Sequence, residues 1–345
     1  MPTQKTVLNP LPSGETDTST RASRSSLSDH VRSFLPEVVT VILLIIAFIV
    51  GASLSPYFLD VPFLFDSTTL YIEAAIMALG MTFVIISGNI DLSVASTLSL
   101  VATVMAVLHV ELNVPMEVAI PISLVLGTLL GALNGWLITR LRLPALTVTL
   151  ATMALYRGLA QILLGDHSLS KFPEWFIGID RITVPGTPIP IVLVLFFVFA
   201  LILGLILHKT VFGRWVFALG TSEDAARYSG IPIERVKIAI FALNGFLAAI
   251  AGLIMVSRLA VARYDHARGL ELDVITAVVL GGTSIYGGRG TLFGSVIAVF
   301  LVGFLRTGLG VANVKAESQL AVVGTLLIIA VIASNLITRF SRQRG

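Results

Sequence analysis

Beyond residue 36 the chain alternates long apolar runs with short polar connections. A hydrocarbon core about 30 Å thick takes roughly 17–25 apolar residues per helix. Applied along the chain, that rule predicts spans near 37–55, 70–88, 93–110, 118–138, 145–165, 189–208, 238–258, 272–283, 291–311 and 320–338. The eighth is too short to cross alone. The pattern therefore predicts an all-α polytopic membrane protein of about ten transmembrane helices. Three stretches break it: a hydrophilic island at 209–237, the run SGNIDLS at 87–93, and the glycine-rich run GGTSIYGGRGT at 281–291.

The island reads KTVFGRWVFALGTSEDAARYSGIPIERVK and is punctuated like a very short helix. Thr221 suits an N-cap, with Asp224 three residues on as in a capping box. Glu223 and Asp224 fall in the first turn, where the helix dipole favours negative charge. Gly230 suits the left-handed position after the last turn, and Pro232 stops continuation. About eight helical residues result, fewer than the roughly 12–15 needed for marginal stability in water. Such a helix needs a surface, either the protein's own or that of a partner outside the membrane.

Composition confirms the class. Of 345 residues, 56% are hydrophobic and 12% charged, with a mean hydropathy of +0.94; a soluble domain is nearer about 25% charged. The absence of cysteine excludes disulfides and thiolate metal sites. Basic residues are scattered without an aromatic-interleaved patch, so no nucleic-acid partner is expected. Residues 1–36 are rich in Ser and Thr and contain no secretory apolar core, and are expected to be a disordered cytoplasmic tail. With the N-terminus inside, fifteen Lys and Arg fall on the cytoplasmic set of connections and six on the outer set. This positive-inside bias predicts cytoplasmic termini, including a short tail at 339–345, and a cytoplasmic island.

The two other interruptions, one in each half of the chain, follow the pattern of broken or re-entrant segments beside a transport path. The alternative reading is two tight cytoplasmic turns, with Asp91 capping the next helix. Gly127, Gly131 and Gly135 form a groove for close helix approach, either internal or between subunits. Glu73, Arg157, Asp273 and Arg306 lie within spans near their ends, where snorkelling is available. The outer loop 166–188 carries Phe172, Trp175 and Phe176, as an interfacial belt or as a docking surface. No histidine or carboxylate relay lies at mid-span. The glycine run fails as a phosphate loop because Gly288-Arg289 stands where Lys-Ser/Thr is required. No nucleophile–base motif supports an intramembrane hydrolase; an Asp91–Asp273 dyad lacks its flanking pattern.

Four stretches together resemble the permease subunits of ATP-binding-cassette importers for simple sugars, a ribose/rhamnose/autoinducer-2-like group within the branched-chain amino acid and sugar permease superfamily. They are SGNIDLSVAS at 87–96, GALNGWLITRLRLPALTVTLATMALYRGLA at 131–160, GRWVFALGTSEDAARYSGIPIERVKI in the island and ELDVITAVVLGGTSIYGGRGTLFGS at 271–295. Asn89 and Ala95 depart from the group's pattern. The resemblance implies a permease domain over 37–338 in the bacterial inner membrane, with two broken regions and a cytoplasmic coupling helix. Two permease chains would pair, as a homodimer or with a homologous second chain. A cytoplasmic ATP-binding subunit would hold ATP and Mg, and this chain would carry no cofactor and no catalysis of its own. A periplasmic sugar-binding protein would deliver cargo to loops 166–188 and 259–271. Coupling to the ATPase would involve Thr221, Glu223, Asp224, Ala225, Ala226, Arg227 and Gly230. Asn89, Asp91, Asn134, Thr283 and Ser284 would line or gate the path. Rhamnose or a furanosyl signalling sugar such as autoinducer 2 is favoured as cargo over ribose, xylose or galactose. The alternative is a stand-alone secondary sugar carrier without an ATPase.

Overall fold

A computed structural model describes residues 35–54 and 56–315, with isolated positions onward to 328. Helix α1 spans Leu35–Leu54, α2 Val61–Ser67, α3 Ile72–Ile86 and α4 Val94–Ala106. Then come α5 (Met116–Arg140), α6 (Ala145–Leu164), α7 (Ile191–Lys209), α8 (Val211–Thr221) and α9 (Glu223–Tyr228). Helices α10 (Ile233–Leu259), α11 (Leu270–Leu280) and α12 (Leu292–Val311) complete the order. Among the described residues there is no strand longer than an isolated bridge; two such bridges pair Leu169 with Ala262 and Thr183 with Pro190.

Helices α3 and α4 are buried on almost every side, as expected of helices that are apolar all round. The long α10 lies against both, and against α5. The outer helices keep an apolar face turned outward instead. On α5 it is the stripe Val118, Ile122, Val125, Leu129, Leu133 and Trp136, spaced at three and four residues. The facing stripe of α5 is glycine. A Cβ at Gly131 would stand 2.1 Å from the Phe241 carbonyl oxygen and 3.1 Å from the Gly245 Cα of α10. The groove is therefore an internal seam, the backbones of α5 and α10 approaching where side chains are missing.

Six described helices are long and apolar enough to cross a membrane, and a seventh span results if the pair Val61–Leu70 and Ile72–Ile86, bent by 59°, counts as one. The described residues therefore do not confirm the expected count of about ten. Helix α1 has a shorter apolar stretch, Glu37–Ser53. Helix α11 has eleven residues and cannot cross alone, as its short apolar run predicted. The expected tail at 1–36 up to residue 34, the last span at 320–338 except for isolated positions, and the tail at 339–345 lie outside the described residues. The second span differs from expectation because Tyr71, at the bend, has a non-helical backbone (φ −128°, ψ 12°) that turns the chain between two helical pieces.

The four ionisable residues within spans do not snorkel. Glu73 accepts from Arg258 at 2.9 Å, and Asp273 from Arg306 at 2.6 Å. Arg157 donates to the carbonyls of Tyr264 at 2.8 Å and His266 at 2.7 Å. Pairing inside the bundle leaves fewer bare charges than reaching for the rim. The aromatic loop also folds inward. Phe172 and Phe176 are buried, Ser257 Oγ donates to the Phe176 carbonyl, and Trp175 alone of the three stays exposed.

Candidate functional site

The site is built from three helix ends with the same geometry. Helix α3 ends at Ser87, and the amides of Gly88 and Asn89 donate to the carbonyls of Ile85 at 2.9 Å and Val84 at 3.1 Å. Helix α11 ends at Gly281, and Gly282 and Thr283 repeat the pattern onto Val279 at 3.0 Å and Val278 at 3.3 Å. Helix α9 ends at Ser229, with Gly230 and Ile231 bonded to Arg227 and Ala226, both at 3.1 Å. Each is a Schellman cap, and each uses glycine at positive φ.

The first cap meets the glycine-rich run that follows the second. Gly288 N donates to the carbonyl of Ile86 at 2.8 Å, joining the glycine-rich run of 281–291 to the end of α3. Gly220, the penultimate residue of α8, closes the junction: a Cβ there would sit 1.8 Å from the Ile86 carbonyl oxygen and 2.5 Å from Gly288 N. The two interruptions predicted from sequence thus share one contact point, and α8 rests on it. Helix α9 follows after a single extended residue, Ser222.

Ser222 is the N-cap of α9, its hydroxyl accepting from Ala225 N at 3.2 Å. This corrects the assignment to Thr221, whose hydroxyl donates back to the Phe217 carbonyl within α8 at 2.9 Å. The shift also removes the capping box, since Ala225 and not Asp224 stands three residues beyond the cap. Sequence reasoning did not separate α8 from α9 because α8 is amphipathic. Its Val216 and Leu219 are buried while Arg214 faces out, so the island alternates polar and apolar residues without a visible break.

Helix α9 has an anchored face and a free one. Ala226 is buried. Glu223 accepts from Lys237 of α10 at 2.7 Å and from Arg227 at 3.4 Å. Asp224, Ala225, Arg227 and Gly230 are exposed, and Tyr228 is 91% exposed. An aromatic in a polar island is the sequence signal for Tyr228. Between α9, the end of α5 and the Gly88-Asn89-Ile90 backbone lies a cavity of about 590 Å³, lined in part by Asn89, Arg142, Glu223, Arg227 and Lys237.

Asp91 sits behind this cavity in a closed network. Its Oδ1 accepts from Ser93 N at 2.9 Å and Ser93 Oγ at 2.6 Å, and its Oδ2 from Asn244 Nδ2 at 2.8 Å. Asn134 Nδ2 donates to Ser93 Oγ at 2.8 Å, and the Tyr156 hydroxyl lies 3.5 Å from Asn134 Oδ1. Asp91, Asn134 and Asn244 are buried, so the network ties the α3–α4 break to α5, α6 and α10. Asn244 is not ionisable and so is not among the charged span residues, but an asparagine amid an apolar span is itself a sequence signal. Thr283 is buried with no hydrogen-bond partner for its hydroxyl, and Ser284 N donates to the Arg289 carbonyl at 3.0 Å. Asn89 lines the cavity; Asp91, Asn134, Thr283 and Ser284 do not.

At the far end of α10, roughly 40 Å away for a helix of that length, a larger chamber of about 1010 Å³ opens between the start of α3 and the ends of α10 and α12. The loop Val261–Gly269 closes one side. In it Asp265 accepts two bonds from Arg263, both at 2.8 Å, and this pairing holds its carboxyl down at about 2. Burial pushes the His266 imidazole below its ordinary value. Asp91 and Asp273 have separate partners, with no bond between them.

The comparisons agree with an importer permease. Residues 63–331 match the family described as Branched-chain amino acid transport system / permease component. The chain is 39% identical over 302 residues to the Autoinducer 2 import system permease protein LsrD of Escherichia coli, covering 86% of this chain and 91% of that protein. It is equally similar to the protein of the same name from Shigella flexneri, with the same identity and coverage. No solved structure matches the chain. A family match over most of the chain, with relatives aligned along nearly their whole length, leads to one conclusion: this chain belongs to the branched-chain amino acid transport system permease component family.

Proposed function

We propose that this chain is the membrane permease of a binding-protein-dependent, ATP-driven importer whose cargo is a furanosyl sugar like autoinducer 2. Its relatives are named as permeases for autoinducer 2 import, and this favours that cargo over rhamnose and the common pentoses. In this reading α9 is the coupling helix and faces the cytoplasm of a bacterial cell, as do both termini. A separate ATP-binding subunit, holding ATP and Mg, takes α9 into a groove. A second permease chain, identical or homologous, completes the pore, and a periplasmic binding protein docks on the loops at 166–188 and 259–271.

The observation that carries the proposal is the position of α9, one residue beyond α8, whose Gly220 closes the junction where both broken segments meet. Force applied to a six-residue helix so placed passes to both breaks at once. Asp224, Ala225, Arg227 and Tyr228 are the face offered to the ATPase. Glu223 and Ala226 hold the helix to its own chain, and Ser222 and Gly230 end it. Asn89 gates the inner cavity, Asp91 and Asn134 brace that gate from behind, and Thr283 and Ser284 shape the opposite break.

Purification of the tagged chain from native membranes, followed by mass spectrometry, tests the assembly. A co-purifying protein with nucleotide-binding motifs is expected, and the second permease chain is identified in the same preparation. Recovery of the chain alone after mild crosslinking favours the stand-alone carrier. Replacing Arg227 with Glu and Tyr228 with Asp is expected to abolish ATP-dependent uptake with membrane insertion intact; undiminished uptake overturns the coupling role of α9.

A further inference from the structure

We propose that the glycine-rich turn of 281–291 presents Tyr286 as a second docking contact for the ATP-binding subunit, beside α9. This rests on the reading of α9 as the coupling helix and extends its docking surface to a second element. Among the described residues, Tyr228 of α9 and Tyr286 are the most exposed aromatic side chains, at 91% and 81%. A tyrosine left in water exposes a large, stiff, amphipathic ring, and tyrosine is one of the residues that most often anchor protein interfaces.

The turn is built to hold that ring out. Ser284 N donates to the Arg289 carbonyl at 3.0 Å and Gly287 N to the Ser284 carbonyl at 2.9 Å, so Tyr286 sits at the tip of a closed turn. Gly287 and Gly288 follow it at φ of 82° and 73°, a backbone that glycine adopts without a steric penalty. At its base, Gly288 N donates to the Ile86 carbonyl at 2.8 Å. A Cβ at Gly287 would stand 2.8 Å from both the Gly220 carbonyl oxygen and the Gly88 Cα, and one at Gly288 would stand 3.1 Å from the Thr221 Cα. The turn is thus wedged, backbone against backbone, between the ends of α3 and α8. An anchor on so constrained a turn has little backbone freedom left to lose on binding.

The same contacts place Tyr286 beside α9. Thr221 touches the turn, and α9 begins two residues later at Glu223. Arg289 in the turn, and Asp224 and Arg227 on α9, are exposed. Charged groups around a ring whose base is glycine and threonine suit the polar rim of a protein interface, and a lipid chain gains nothing from them. The occupant is therefore the protein surface that takes α9, continued onto the turn. A subunit seated on both contacts presses on the end of α3 through Gly288 as well as through α8, and so reaches the two breaks from two points.

Photocrosslinking in the full chain within native membranes tests the contact. Tyr286, and in a separate chain Tyr228, is replaced by the photoreactive p-benzoyl-phenylalanine, and adducts are identified by mass spectrometry. Adducts of both positions with the subunit that carries nucleotide-binding motifs are expected. ATP-dependent uptake into vesicles, at equal amounts of inserted chain, is expected to fall about tenfold or more in Tyr286→Ala and to stay within about twofold in Tyr286→Phe, which keeps the ring. An adduct at 228 without one at 286, an adduct of 286 only with a permease chain or with lipid, or undiminished uptake by Tyr286→Ala overturns the second contact and leaves the coupling role of α9 standing. An adduct at 286 without one at 228 supports the contact and overturns the role of α9. If neither position reaches that subunit, both are overturned.

Discussion

The contact between Lys237 and Glu223 makes an asymmetric prediction. The lysine side chain is 9% exposed and the glutamate 44% exposed, with 2.7 Å between them. Glu223→Ala leaves an ammonium in a nearly closed site, and lifting α9 away is what rehydrates it. Removing one partner of a fully buried pair costs about 3–5 kcal/mol, and an exposed pair is worth only about 0.2–1 kcal/mol. Because one partner is half exposed, a value between them, about 2 kcal/mol, is expected for Glu223→Ala. Lys237→Met leaves the glutamate reachable by water and by Arg227 at 3.4 Å, so its cost is about 0.5–1 kcal/mol. Hydrogen exchange of the Gly230 and Ile231 amides reads the opening of α9, since both bond to carbonyls of its last turns. A decade of exchange corresponds to about 1.4 kcal/mol, so Glu223→Ala should accelerate it roughly 30-fold and Lys237→Met roughly 2- to 5-fold. Asp224→Ala, which loses only its interaction with the helix dipole, serves as control at about 0.3–1 kcal/mol. An effect of Lys237→Met equal to or larger than that of Glu223→Ala would refute the reasoning, because the cost would then not lie in the stranded ammonium.

Three further outcomes follow from the geometry. Gly131→Ala must push α5 away from the Phe241 carbonyl and is expected to cost about 1–3 kcal/mol, read as a lower melting temperature in detergent. Gly158→Ala on α6, where a Cβ meets nothing within 4 Å, should be neutral or gain up to about 1 kcal/mol. The loop around His266 should loosen on acidification. Its folded imidazole lies below the ordinary 6.5, so the unfolded loop binds the extra proton first. Stability is therefore full above that value and falls as pH drops through it, continuing down to the folded value. Asp265 faces the ring and favours its charged form, while Arg157, Arg258 and Arg263 oppose it. Amide exchange over residues 262–270, corrected for intrinsic rates, should rise several-fold from about pH 7.5 to 5.5, and His266→Gln should flatten that rise; a profile unchanged by the substitution refutes the assignment.

Much of this protein was legible without coordinates. Apolar run length predicted helices at most of the expected spans, because in hydrocarbon only a helix satisfies its own backbone over such a length. The short run at 272–283 predicted the half-helix α11 for the same reason. Glycine and proline punctuation marked both breaks and the end of α9, since a left-handed cap residue leaves its trace in the residue type. What remained out of reach was pairing across distance. Nothing local in SGNIDLS states that its helix end receives Gly288, and nothing in α10 states that Asn244 reaches Asp91. Thr221 and Ser222 are both good caps, and only the packing of α8 onto the glycine junction decides which is free to serve. Glu73 and Arg258 lie 185 positions apart, so single-residue reasoning left them as snorkelling candidates. The sequence by itself determined which segments are helical and where they break, because those choices rest on short-range sterics and on the solvent around each segment. Tertiary structure alone decided which charges pair, which glycines let backbones touch and where chambers open, because those depend on groups that the chain brings together only when folded.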